Sequence, residues 1–193
     1  MLRAKRPVAP VYCIYSQRYA DAAAEFIAGF PGRVLYAVKA NDHPDVIALL
    51  HRGGLMHFDC ASLPEIELVH AVCPGATAYF MIPARLRGAA YAAQVEFGVR
   101  HFMIDHASGL PLLANEIDMG EAVVFARMAV QHSSAMQELS SKFGAPPDEI
   151  PDLLQSISDH GAEPALAFNV GTGVTDPEAY AYAIGLAAQA LER

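Results

Sequence analysis

Apolar residues come along this chain in short unbroken blocks. After an opening block "VYCIY" (Val11 to Tyr15), they recur as "VLYAVKAN" (Val34 to Asn41), "LMHFDCA" (Leu55 to Ala61), "ATAYFMIP" (Ala76 to Pro83), "HFMID" (His101 to Asp105), "AVVFARMAV" (Ala122 to Val130) and "ALAFNVGTG" (Ala165 to Gly173). Blocks of this length, rich in β-branched and aromatic residues, predict strands, and their continuity predicts strands covered on both faces, as in a parallel sheet. Between them lie helix signals. Pro44 opens "PDVIALLHRGG", where Val46, Ile47, Leu49 and Leu50 make an apolar stripe that Gly53 and Gly54 end. Ser62 precedes Glu65 by the spacing of a capping box. "RLRGAAYAAQVEFG" and "PDEIPDLLQSISDHG" end in glycine, and "DPEAYAYAIGLAAQALER" starts with the Asp-Pro pair of a helix N-terminus.

This βα beat implies either a doubly wound open sheet or a (β/α)8 TIM-type barrel. Counting from "VLYAVKAN" gives six strands, with the last residues inside the helix after the sixth. On the barrel alternative the fold is truncated after about six βα units. Residues 1–33 are expected to form a strand and a helix leading in, and residues 34–193 the partial barrel.

Composition limits the function. With 193 residues, 53% of them hydrophobic and 18% charged, the chain can bury one globular core. Its net charge of -8 opposes binding to nucleic acid and to anionic membrane surfaces. No apolar run reaches the roughly 18 residues of a membrane helix. Cys13, Cys60 and Cys73 form no CxxC pair and suit a reducing compartment, so the expected location is the cytoplasm. The histidines contain no HExxH, and His101 and His106 would face opposite ways along one unbroken strand, so no metal site is expected. Neither a GxSxG elbow nor a Walker A loop occurs.

In both α/β architectures functional groups gather at the C-terminal ends of the strands. Those ends offer Lys39, Asn41, Asp59, Ser62, Arg85, Asp105 and Arg127, then Asn169 with Gly171, Thr172 and Gly173. Lys39 is either a snorkelling lysine whose head reaches water or an amine desolvated enough to attack a carbonyl. Asp59 either sets the charge of that amine or caps a turn. Arg127, set in an apolar strand, needs a carboxylate, a phosphate or an aromatic face beside it. "NVGTG" brings backbone N–H groups just ahead of a helix, a setting that suits phosphate.

Four motifs in order, "YAVKAN", "FDCAS" followed by "EI", "SSKFG" and "FNVGTGVTDP", carry a resemblance to the ornithine/lysine/diaminopimelate decarboxylase family, pyridoxal-phosphate enzymes of the alanine-racemase-like barrel fold. The resemblance runs from about Val11 to the last residue. It implies pyridoxal 5'-phosphate as cofactor, Lys39 as the lysine that bonds it, Asp59 and Glu65 as acidic neighbours, Arg127 lining the pocket and Thr172 at the phosphate. The implied activity is decarboxylation of a basic or diamino acid to an amine in polyamine biosynthesis, by an enzyme that forms homodimers. Where the family has a histidine stacked on the pyridine ring, this sequence has Asn169, and Gln131 and His132 replace a common acidic pair ahead of Ser133. Family members are about twice as long and add a C-terminal β-domain. A non-catalytic binding or regulatory homologue, favoured by Asn169, and an amino-acid racemase of the same fold are the alternatives.

Overall fold

A computed structural model describes residues 8–132 and 142–192. Ser133, the serines of "SSKFG" (Ser140 and Ser141) and the basic N-terminus therefore lie outside the described residues. The chain opens with α1 (Ser16–Gly29) and then alternates β1 (Leu35–Ala37), α2 (Pro44–Arg52), β2 (His57–Cys60), α3 (Leu63–Val72), β3 (Thr77–Phe80), α4 (Ala89–Phe97), β4 (His101–Ile104), α5 (Gly109–Ala114), β5 (Val123–Met128), α6 (Ile150–Asp159), β6 (Glu163–Phe168) and α7 (Glu178–Leu191). Single 3-10 turns follow β1 (Val38–Ala40) and precede β5 (Met119–Glu121).

The sheet decides between the two architectures. Its six strands are all parallel and lie in the order β1-β2-β3-β4-β5-β6. A doubly wound sheet reverses its strand order at a switch point, whereas a barrel adds each strand beside the last. The order here is that of a barrel wall, six staves long and open between β1 and β6 among the described residues.

Register and alternation sort the strand residues into two faces. Phe58, Phe80, Phe102 and Val124 fall on the helix side and are at most 2% exposed. They meet Ile47 of α2, Ile66 of α3, Ala93 of α4 and Ile157 of α6 in one core. Helix α7 docks through a stripe of small residues, Ala179, Ala183, Ala187 and Ala190. The opposite, concave face carries His57 and Asp59 of β2, Tyr79 of β3, His101 of β4, and Phe125 and Arg127 of β5. No described helix is long and apolar enough to cross a membrane.

Four expectations need correction. Residues 11–15 form no strand, because among the described residues no other strand lies beside them to pair with, and Val11, Tyr12 and Tyr15 are exposed. The strand expected to end in Lys39 ends two residues earlier: the backbone coils into the 3-10 turn at Val38–Ala40, closed by the Asn41 N–H donating to the Val38 carbonyl at 3.1 Å. Strand β4 stops at Ile104, so His106 is not on it and instead bonds Ser108 at 2.8 Å. The glycines of "NVGTG" do not abut a helix, since α7 begins only at Glu178, whose N–H is taken by Asp176 Oδ1 at 3.0 Å.

Candidate active site

The C-terminal ends of β1, β2 and β5, with the first turn of α3, bring Lys39, Glu65 and Arg127 close enough to Asp59 that their charges act on its carboxyl. The 3-10 turn after β1 lifts Lys39 to the rim, where it is exposed, while Val38 beside it is fully buried and anchors the turn. Asp59 is the third residue of β2 and half-buried. Burial pushes its carboxyl above the ordinary carboxylate value; Lys39 opposes the rise, Glu65 adds to it and Arg127 opposes it. Its protonation therefore depends on the charge of its neighbours.

Glu65 is held by the helix it starts. Ser62 Oγ accepts the Glu65 N–H at 3.4 Å, and Glu65 Oε2 accepts the Ala61 N–H at 2.7 Å, one residue before the usual capping-box partner. Sequence spacing foresaw this cap. It also fixes one carboxylate oxygen on the backbone and leaves the other available to the mouth.

Arg127 is the penultimate residue of β5. It makes no ion pair among the described residues; its guanidinium lies over the Phe143 ring, 5.0 Å from Cζ to centroid. Burial eases its proton, and Asp105 and Asp59 hold it on. Of the environments that sequence allowed for this arginine, the aromatic face is the one in direct contact, with the carboxylates of Asp105 and Asp59 acting on it through their charge. Phe143 escaped sequence reading as a site residue, and its place in "SSKFG" was its one signal.

Asn169 and Thr172 sit on the neighbouring loop after β6, both exposed. Asn169 Oδ1 accepts the Gly171 N–H at 2.8 Å in a turn of its own making. Gly171 and Gly173 take φ of 112° and 66°, a conformation open to glycine. Among the described residues no group of three or more His, Cys, Asp or Glu is placed to hold a metal ion.

An amine, a protonatable carboxyl and an arginine with no ion pair among the described residues, around one mouth, fit a ligand bearing both a carbonyl and an anionic group. The family model "Pyridoxal-dependent decarboxylase, pyridoxal binding domain" matches residues 15–193. Lysine/ornithine decarboxylase from Selenomonas ruminantium is 34% identical over 154 residues, covering 78% of this chain and 38% of that protein. Antizyme inhibitor 2 from Homo sapiens is 31% identical over 163 residues, covering 79% and 33%. Among solved structures, an SrLDC mutant in complex with PLP superposes with a TM-score of 0.86 at 30% identity, over 98% of this chain and 49% of that one. The arginine decarboxylase of Paramecium bursaria Chlorella virus bound to agmatine gives 0.88 at 25% identity, over 99% and 52%. The chain thus spans about a third to a half of the proteins it matches. Sheet order, the residues at the mouth and these likenesses agree, and the chain belongs to the pyridoxal-dependent decarboxylases, within their pyridoxal-phosphate-binding barrel domain.

Proposed function

We propose that this chain is the cofactor-binding portion of a pyridoxal-phosphate-dependent decarboxylase acting on a basic or diamino acid of the ornithine or lysine kind. The observation that carries the reading is the meeting of Lys39, Asp59 and Arg127 above the ends of β1, β2 and β5. Lys39 offers the amine that joins the cofactor's aldehyde carbon. Asp59, its carboxyl raised by burial and lowered again by the facing Lys39, offers a proton-binding group beside that amine. Arg127 supplies a fixed cation whose N–H edges stay open to an anionic group while its face rests on Phe143. Glu65 adds negative charge beside Asp59, and Asn169 and Thr172 border the phosphate with the N–H groups of their glycine loop. Pyridoxal phosphate held by these residues would supply an electron sink for the decarboxylation of an amino acid. The substrate class is supported by relatives named lysine/ornithine and arginine decarboxylase, and in the full-length protein a homodimer is the expected assembly.

The test uses the full-length protein that contains these residues. Addition of pyridoxal phosphate should produce the visible absorbance of a lysine-bound cofactor, and carbon dioxide should be released from ornithine or lysine. Lys39→Ala should abolish the band and lower turnover by a factor on the order of 10³. A parent protein that takes up no cofactor would reject the reading.

A second reading, a binding homologue without turnover, is favoured by Asn169, whose amide oxygen is already held by Gly171 at 2.8 Å. The likeness to an antizyme inhibitor supports it as well. Asn169→His distinguishes the two: the second reading expects a silent parent and a gain of cofactor affinity or carbon dioxide release in the variant.

A further inference from the structure

Strand β4 stops at Ile104, paired with Ala126, while β5 runs on to Met128. The β5 backbone beyond Ala126 would lack a partner on that side, and residues 143–145 fill the vacated slot. Ala145 bridges Met128 in parallel, donates its N–H to the Arg127 carbonyl at 2.8 Å, and accepts the Ala129 N–H at 2.8 Å. The turn comes so close that only glycine fits at its centre: Gly144 has φ of +103°, and a Cβ there would lie 2.6 Å from the Ala129 nitrogen. The Gly144 N–H also reaches Asp105 Oδ2 at 3.3 Å, just past the end of β4.

Tethered to β5 by its backbone and to Asp105 by this bond, the turn carries the half-buried Phe143 ring against the Arg127 guanidinium. No other side chain among the described residues bonds that guanidinium. A long cation on a strand end otherwise samples many rotamers, and each costs binding free energy when a ligand selects one.

We propose that Phe143 is a positioning residue: the turn 143–145, anchored on Asp105, holds the Arg127 guanidinium face-down so that its N–H edges meet the anionic group of the cofactor or substrate. This rests on the function proposed above, and two measurements keep the two ideas separable. The first is cofactor affinity in the full-length protein, read from titration of the visible band. Phe143→Leu should weaken it roughly tenfold, Phe143→Tyr should keep it because the ring survives, and Asp105→Ala should weaken it about threefold. The second needs no cofactor: modification of Arg127 by phenylglyoxal, followed at that residue by peptide mass spectrometry. Its rate should rise in Phe143→Leu and Asp105→Ala and stay at the parent value in Phe143→Tyr.

Equal labelling rates in the parent, Phe143→Leu and Asp105→Ala would overturn the proposal, as would a Phe143→Tyr that behaves like Phe143→Leu. Should Phe143→Leu fail to fold, Phe143→Met, which keeps an apolar side chain of similar volume without the ring, decides by the same two measurements. A parent that binds no cofactor defeats the proposed function, and the labelling rates then judge the clamp alone.

Discussion

Asp59 shows how one side chain can oppose folding and serve chemistry together. Burial is the main reason its carboxyl is held above the ordinary carboxylate value in the folded state. The folded state then binds the proton more tightly than the unfolded state, so the stability from this group is complete below about pH 4 and is lost as the pH rises through the raised folded value. At neutral pH the ionised carboxylate costs stability that Lys39 and Arg127 only partly return. Asp59→Asn should therefore raise the melting temperature of the cofactor-free protein by a few degrees near pH 7, with the gain vanishing in acid, while turnover falls at least tenfold. Calorimetry across pH, set beside carbon dioxide release, checks both halves. A variant melting below the parent at neutral pH would mean that Asp59 earns its place through its ion partners.

The concave wall carries a column that no motif announced. His57 of β2 meets the edge of Tyr79 of β3 at 5.8 Å, and Tyr79 stacks on His101 of β4 at 3.9 Å, while the Arg33 guanidinium donates to the Tyr79 hydroxyl at 2.9 Å. The Nδ1 atoms of both histidines are buried without a hydrogen-bond partner among the described residues. Burial lowers the proton affinity of each, helped at His57 by Arg33 and at His101 by Arg33, Arg100 and His57. With both folded values below that of a free imidazole, stability is complete above about pH 6.5 and drains away as the pH falls through the lowered folded values. Urea midpoints measured from about pH 8 to about pH 5 should fall, and His101→Phe, which keeps a ring against Tyr79, should flatten that fall. An identical pH profile in the variant would remove His101 from the account.

The six strands were legible because each is a continuous apolar block, and α2 and α3 because Pro44 and Ser62 mark their starts. The six-residue α5 carries too few residues to show a period, and the coil at Lys39 depends on the buried anchoring of Val38, a tertiary fact. The same distinction governs the site. Lys39, Asp59 and Arg127 could be listed because strand ends can be counted along a sequence, whereas Phe143 meets Arg127 only because a distant turn takes the slot that β4 vacates.

The molecule as a whole is a wall with two free margins. Strand β1 has a neighbour only in β2, and β6 only in β5, among the described residues. Unpaired strand margins recruit other strands, and the residues of β6 are at best half-buried. Expressed by themselves, these 193 residues should associate as concentration rises, a trend that light scattering coupled to size exclusion would register. A monodisperse monomer at every concentration would show that the margins are closed by some other means.

The strand order also bears on how the chain reaches its fold. Leu35 pairs with His57, His57 with Thr77, Phe80 with Phe102 and His101 with Val123, so every stave finds its mate in the segment translated just before or after it. Four of the closures span 20 to 22 residues, and the last, from Val123 to Glu163, spans 40. Assembly can therefore keep pace with the ribosome, one βα unit docking on the last, with the newest strand always serving as the template for the next.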